Sequence, residues 1–242
     1  MKKIVAYPLS ICFYTVFGLL LCVFHPILWM THKISPSCLD KSISLLNICL
    51  IRSLLLLGTR VSVEKPTLKK QQSYIIVSNH QSTFDIPPIM WFLREWHPKF
   101  ISKKELGKGI PSVSFNLRHG GSVLIDRKDP VQSVRAITSF AQKTSLNGHS
   151  AVIFPEGTRS KNGIPKPFRT SGLKILLEQM SEAEVLPITV NHSWKTIQYG
   201  NFPMGIGAHI RLKIHPPIPV KNEDFNTLIE QVEKTIKDGI VF

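Results

Sequence analysis

The sequence predicts an α/β fold in which a mixed, largely covered sheet has flanking helices and is preceded by an N-terminal membrane-associated helical segment. After residue 60, short apolar runs alternate with stretches of helical periodicity, which is typical of a sheet covered by helices. Many of the apolar runs lead into polar loops that contain glycine or proline. Residues 4–30 are apolar over a length sufficient to enter or cross a bilayer.

The N-terminal segment contains two apolar stretches. Residues 4–30 follow two lysines and include Pro8 and Pro26. Residues 43–57 include an asparagine and an arginine, so this stretch either lies in the membrane interface or pairs with the first as a helical hairpin. Because no small-residue cleavage pattern is visible, we interpret the segment as a retained anchor rather than a signal peptide.

Charge leaves open whether this segment spans or re-enters the membrane. Lys2 and Lys3 favour a cytoplasmic N-terminus, and the basic remainder favours a cytoplasmic domain. A re-entrant hairpin places both the N-terminus and the domain on the cytoplasmic side, whereas a single span places only one of them there. We therefore expect residues 1–60 to anchor an α/β domain, residues 61–242, on the cytoplasmic face of a membrane, which is the inner membrane in a bacterium.

The remaining elements are predicted in order along the chain, after a polar linker at residues 64–72. Apolar runs predict six strands, at residues 74–77, 100–102, 122–125, 151–154, 185–190 and 209–214. Helical periodicity predicts four helices, at residues 86–96, 130–146, 172–180 and 224–237. The last helix places Phe225, Leu228, Ile229, Val232 and Ile236 on one face.

Composition limits the possible partners. The formal net charge of +14 favours anionic lipid, phosphorylated substrates or nucleic acid. No zinc finger, RNP-like aromatic block or basic helix is visible, so we do not expect nucleic acid. The cysteines all lie early in the chain and none has metal-ligand spacing, so we interpret them as reduced, buried thiols and predict no metal site: Cys12, Cys22, Cys38 and Cys49.

A first polar motif follows the strand at 74–77. His80 lies in the turn after this strand, and Pro87 and Pro88 suit the first turn of the next helix. If the turn folds Asp85 back, its carboxylate accepts a hydrogen bond from one ring nitrogen and leaves the other free as a base. The alternative is a polar turn in which Asp85 only caps a helix.

A second polar motif follows the strand at 151–154. It contains Glu156, Gly157, Thr158 and Arg159. In open α/β sheets, ligand sites lie beyond the carboxyl ends of the strands. We therefore expect this loop and the His80 turn to meet at one edge of the sheet.

The first motif is Asn79-His80 with Asp85, and the second is the loop Phe154-Pro155-Glu156-Gly157-Thr158-Arg159-Ser160. Together the two motifs resemble the glycerolipid acyltransferases. The likeness is greatest to the 1-acylglycerol-3-phosphate (lysophosphatidic acid) O-acyltransferase family, and it covers most of the chain after residue 74. It implies an enzyme that moves an acyl chain from acyl-CoA or acyl carrier protein to the sn-2 hydroxyl of lysophosphatidic acid, giving phosphatidic acid.

The resemblance implies that His80 is the general base and that Asp85 orients it, with no cofactor beyond the thioester co-substrate. A G-x-S-x-G nucleophile motif is absent, which agrees with direct transfer and counts against a serine hydrolase. Two alternatives remain: an acyltransferase that uses another lysophospholipid or an amino-acid lipid, and a non-catalytic basic module that binds lipid or nucleic acid.

The expected substrate-binding residues lie just past strand ends: Lys103, Arg127, Glu156, Gly157, Thr158 and Arg159. The resemblance assigns phosphate binding to Arg127 and Arg159, and the planar fork of arginine suits phosphate oxygens. Whether Lys103 or Lys104 points inward is open. The Gly157 amide is a candidate donor to the thioester oxygen, unless this glycine only makes a turn.

Other histidines have no obvious acidic partner in the sequence. We expect them to be surface or packing residues: His97, His119, His149, His192, His209 and His215.

Overall fold

The computed structural model describes residues 2–160, 162–220 and 224–241, and these residues build a seven-stranded sheet. The strands in chain order are β1 (Arg60–Glu64), β2 (Tyr74–Ser78), β3 (Pro98–Lys103), β4 (Val123–Ile125), β5 (Ser150–Ile153), β6 (Glu184–Asn191) and β7 (His209–Ile214). They lie in the order β1-β7-β6-β2-β5-β3-β4. Only β6 and β7 pair antiparallel, so the sheet is mixed, as predicted.

Seven α-helices accompany the sheet within the described residues. They are α1 (Lys2–Ile34), α2 (Pro36–Ser53), α3 (Ile86–Phe92), α4 (Val113–His119), α5 (Pro130–Leu146), α6 (Ser171–Gln179) and α7 (Phe225–Asp238). Asp129 and Asp224 cap the N-termini of α5 and α7 through their carboxylates, as expected for acceptors at free backbone N–H groups.

The sheet is covered on both faces. Because side chains alternate along a strand, Tyr74 and Ile76 of β2 pack in one cluster and Ile75 and Val77 in the other. The first cluster includes residues of α1 and α3, and the second includes residues of α5, α6 and α7. The predicted covered α/β architecture is therefore confirmed.

Helices α1 and α2 form a hairpin, which is one of the two arrangements considered for the N-terminal segment. Ser35 joins them and caps α2, accepting from the Cys38 N–H at 3.1 Å. One face of α1 packs inward, and Phe13 is completely buried with its ring 5.7 Å from that of Phe84. Helix α1 is long and apolar enough to cross a membrane, yet only 22% of its most apolar window is buried within the protein.

Two predictions about the N-terminal half need correction. None of the four cysteines is buried as predicted: Cys12 and Cys22 are exposed, because they lie on the outward side of α1, and Cys38 and Cys49 are half-buried. The helix predicted at 86–96 ends at Phe92 and is followed by a separate 3-10 turn (Arg94–Trp96). Leu93 leaves the helical region, with φ −110° and ψ 18°, and Pro98 disfavours helical backbone at His97, so the helix does not resume before β3.

The direction of the strands places the functional loops. Strands β2, β3, β4, β5 and β6 run parallel to one another, so their carboxyl ends share one edge. The loops that leave this edge contain the residues singled out in the two sequence motifs.

Candidate active site

His80 and Asp85 are in contact at this edge. The His80 Nδ1 and Asp85 Oδ2 atoms are 2.8 Å apart, and Asp85 is fully buried. A short 3-10 turn (Thr83–Asp85) brings the carboxylate back towards the strand. With Nδ1 facing a carboxylate, the proton of the neutral ring lies on Nδ1 and the Nε2 lone pair is free to act as a base.

Buried donors hold the Asp85 carboxylate. The N–H groups of Gln81 and Ser82 donate to Oδ2 at 2.7 and 2.9 Å. The hydroxyl of Ser193, in the loop after β6, donates to Oδ1. A buried charge is costly unless it is hydrogen-bonded, and these donors satisfy it while fixing its position.

The His80 ring is also held by Phe154 at the end of β5. The two rings are stacked, with centroids 4.2 Å apart and planes 18° apart. The main chain of His80 is tied to the second motif, because its carbonyl accepts from the Ser160 N–H at 2.8 Å. The first and second motifs thus form one rigid unit around the imidazole.

Glu156 occupies a different place from the one expected of a substrate-binding residue. Its carboxylate is buried and accepts from the N–H groups of His80, at 2.7 Å, and Lys166, at 2.9 Å. Burial raises the pKa of Glu156, and the two backbone hydrogen bonds oppose that rise. With both oxygens occupied, Glu156 supports the two loops and does not line the cleft beside them.

That cleft has a volume of about 970 Å³, and His80 lies at its wall. Its basic lining residues are Lys103, the last residue of β3, and Arg127 and Arg159, from the loops after β4 and β5. Thr158 also lines it and accepts a hydrogen bond from the Lys166 ammonium at 2.9 Å. Basic groups and the candidate base therefore share one cavity.

The two arginines are oriented by neighbouring groups. Arg127 Nη1 donates to the Gly157 carbonyl, and Arg159 Nη1 donates to Thr83 Oγ1 at 3.0 Å. Burial and the nearby Arg169 lower the pKa of Arg127. Both causes disfavour the charged guanidinium, burial more than Arg169, and a bound anion would stabilise the charge.

The structure answers two questions that the sequence left open. Lys103 lines the cleft, whereas the side chain of Lys104 is 68% exposed and lies 3.9 Å from Asp126. Gly157 lines the cleft, and its N–H donates to the Phe154 carbonyl at 3.0 Å, so in this structure that N–H is part of the turn and is not free to bind a thioester oxygen. Gly157 has a φ of +69°, a left-handed conformation that favours glycine.

Two features were missed from the sequence. Ser193 was not identified because it lies 108 residues from Asp85, in a loop without a recognisable motif. His97 was expected to lack an acidic partner, but its Nδ1 lies 2.8 Å from Asp40 Oδ2. Asp40 belongs to α2, and no local sequence pattern connects this helix to β3.

Comparison with known proteins decides the family. A family model for acyltransferases matches residues 60–191, which include the strands and loops that carry His80, Arg127 and Arg159. This chain belongs to the acyltransferase family. The resemblance predicted from the two motifs is confirmed.

Several curated relatives of this acyltransferase are named 1-acyl-sn-glycerol-3-phosphate acyltransferases. The protein from Helicobacter pylori is 37% identical over 141 residues, which are 57% of this chain and 56% of that protein. The protein from Borreliella burgdorferi is 27% identical over 202 residues, covering 83% of this chain and 78% of that protein.

A solved relative matches nearly the whole acyltransferase. The crystal structure of the 1-acyl-sn-glycerophosphate (LPA) acyltransferase PlsC from Thermotoga maritima superposes with a TM-score of 0.82 at 28% identity. The match covers 99% of this chain and 96% of that one, so it includes the N-terminal hairpin as well as the sheet.

Proposed function

We propose that this enzyme transfers an acyl chain from acyl-CoA or acyl carrier protein to the sn-2 hydroxyl of lysophosphatidic acid, giving phosphatidic acid. The observation that carries the proposal is one cleft that holds both the His80–Asp85 pair and three basic side chains. The names of the relatives support the same acceptor.

In the proposed reaction, His80 Nε2 removes the proton from the acceptor hydroxyl as its oxygen attacks the thioester carbonyl. A carbon–oxygen bond forms, and the tetrahedral intermediate then expels the sulfur. The proton held by His80 passes to the departing sulfur, so the products are an ester and a free thiol. Asp85 stabilises the imidazolium between these steps, and such a base typically contributes about 10²–10⁴-fold in rate.

The acceptor phosphate would bind at Arg127 and Arg159. A guanidinium can bind two phosphate oxygens at once, and such charge-assisted hydrogen bonds are stronger than neutral ones. Lys103 would add a point charge from the β3 side of the cleft. A phosphate monoester offers more charge and more free oxygens to these groups than a phosphodiester does.

We further propose that the α1–α2 hairpin attaches the enzyme to the cytoplasmic leaflet and brings the cleft to the membrane surface. The outward face of α1 is apolar and exposed, which suits contact with lipid. The Tyr14 hydroxyl of α1 donates to the carbonyl of Asn201, a residue that lines the cleft. The lipid-facing helix thus lies beside the site that a lysolipid must enter.

The test is a thiol-release assay with enzyme purified in detergent, using acyl-CoA and the acylated form of acyl carrier protein as donors. The acceptor panel contains lysophosphatidic acid, lysophosphatidylethanolamine, lysophosphatidylcholine and a lyso-amino-acid lipid. We expect kcat/KM to be at least about tenfold higher for lysophosphatidic acid, since each lost charge-assisted bond costs about 1.5–3 kcal/mol. Equal or faster turnover of another acceptor would contradict the proposed substrate.

A further inference from the structure

A second cluster of ionisable residues lies at the opposite edge of the sheet. His97 precedes β3 and His149 precedes β5, so both lie at the amino ends of strands, and Asp40 reaches them from α2. The His97 Nδ1 and Asp40 Oδ2 atoms are 2.8 Å apart, and the two imidazole centroids are 4.9 Å apart. One ligand atom from each of the three residues lies within 4.8 Å of the others.

The chemistry of these three side chains suits zinc. Two imidazoles and one carboxylate are a common set of protein ligands for Zn²⁺, with the remaining position taken by water. Among the described residues, none hydrogen-bonds to the ring nitrogens of His149.

Lys99 completes the surroundings of the carboxylate. Its buried ammonium lies 2.9 Å from Asp40 Oδ1, which leaves Oδ2 as the oxygen that faces His97. Ligating carboxylates are commonly hydrogen-bonded through their second oxygen, which fixes their orientation. The positive charge of Lys99 also weakens the attraction for a cation, so the affinity is expected to fall below that of a cysteine-rich structural site.

Two further features belong to this cluster. His97 has a φ of +47°, a left-handed conformation that is uncommon for histidine. A cavity of about 530 Å³ is lined by Asp40, Lys99 and His149, which leaves space for an ion and its water.

We propose that Asp40, His97 and His149 bind Zn²⁺ and thereby fasten helix α2 to the amino edge of the sheet. The site is separate from the catalytic cleft, because that cleft lies at the carboxyl edge. The metal stabilises the docking of the hairpin and takes no part in acyl transfer. The sequence predicted no metal site, since that prediction considered only cysteine spacing.

The test uses the full chain in detergent, stripped with a chelator and titrated with ZnCl₂ by calorimetry. We expect one Zn²⁺ per chain and a higher unfolding temperature in the presence of Zn²⁺, because a ligand that binds only the folded state stabilises it. His149→Ala and His97→Asn should each weaken binding by at least about tenfold and remove the thermal shift. Asparagine tolerates the left-handed backbone at residue 97, so that variant is expected to fold.

The matched control is His209→Gln, which changes a histidine on β7, far from the cluster in the sheet order. It should bind Zn²⁺ as the wild type does. MgCl₂ should give no thermal shift, because Mg²⁺ prefers oxygen ligands. Absence of Zn²⁺ binding to the wild type, equal affinity in all variants, or an equal shift with MgCl₂ would overturn the proposal.

Discussion

Asp85 shows how a single buried carboxylate sets the position of the imidazole at this site. Its two oxygens accept from donors on two different loops, so the carboxylate has little freedom to turn. The sequence predicted the His80–Asp85 pair because both residues lie in one turn. It did not predict the Ser193 hydroxyl, because that contact depends on how β6 lies beside β2.

Ser193 is expected to act as a positioning residue. Ser193→Ala removes a donor to Asp85 Oδ1, so we expect kcat to fall about tenfold, as for loss of a hydrogen bond to a charged group. The KM values for both substrates should change less than about twofold, since Ser193 is fully buried and is not among the residues that line the cleft. Steady-state kinetics measure both effects. Ser193→Thr keeps the hydroxyl and should restore most of the activity, whereas equal losses in both variants would indicate a packing defect.

Arg159 is expected to bind the acceptor rather than the thioester. Arg159→Ala should raise the acceptor KM by about tenfold or more, because it removes charge-assisted hydrogen bonds to phosphate. The KM for the thioester should stay within about twofold, and kinetics with each substrate varied in turn measure both values. Lys104→Ala is the control, since this exposed lysine is not among the residues that line the cleft. An unchanged acceptor KM in Arg159→Ala would place the phosphate elsewhere.

At the scale of elements, periodicity predicted the long helices and the buried strands. It missed β1, whose residues alternate between exposed and half-buried and border a polar linker. It also missed α4, because seven residues between two loops are too few to establish a helical period. Contacts between distant elements could not be predicted from the sequence. Asp40 and His97 are 57 residues apart and meet because α2 packs on α3, which brings Asp40 to the start of β3.

The docking of α7 on the sheet predicts a dependence of stability on pH. Thr189 Oγ1 on β6 donates to the carbonyl of Ile236 in α7 and lies 2.8 Å from His215 Nε2, so the neutral His215 ring is the donor there. Burial, and then the charge of Lys213, lowers the pKa of His215. The unfolded chain therefore binds more protons than the folded one below the ordinary histidine pKa of about 6.5.

We expect the free energy of unfolding to be nearly constant above about pH 6.5 and to fall as the pH decreases through that value towards the lower pKa of folded His215. Urea denaturation between pH 5 and pH 8 measures this slope. His215→Gln should give a shallower slope. Part of the slope should remain, because the pKa values of His149, His119 and His192 are also lowered by burial. An identical slope in wild type and variant would remove His215 from the explanation.

At the scale of the whole molecule, an apolar helical hairpin and a basic domain occur in one chain with a net charge of +14. Phe13 of α1 lies in the same buried cluster as β2, so the hairpin is packed into the fold rather than tethered to it. The sequence predicted an apolar segment but left its arrangement open, because composition does not reveal which face of a helix packs inward.

The exposed face of α1 is expected to bind membranes. Leu19→Glu combined with Val23→Glu should weaken binding to anionic vesicles by at least about tenfold, since a charge in the apolar layer costs about 2.5 kcal/mol or more. Vesicle flotation measures the bound fraction. Val131→Glu with Val134→Glu, on the exposed surface of α5, is the matched control and should leave binding nearly unchanged. Equal effects of the two pairs would argue against α1 as the membrane contact.

The central claim is that His80, oriented by Asp85, removes the proton from the acceptor hydroxyl. The most direct measurement is thiol release by His80→Ala in detergent, with circular dichroism and vesicle binding as checks on folding and attachment. The account predicts a loss of about 10²–10⁴-fold in kcat with both checks unchanged. Wild-type turnover in this variant would contradict the account.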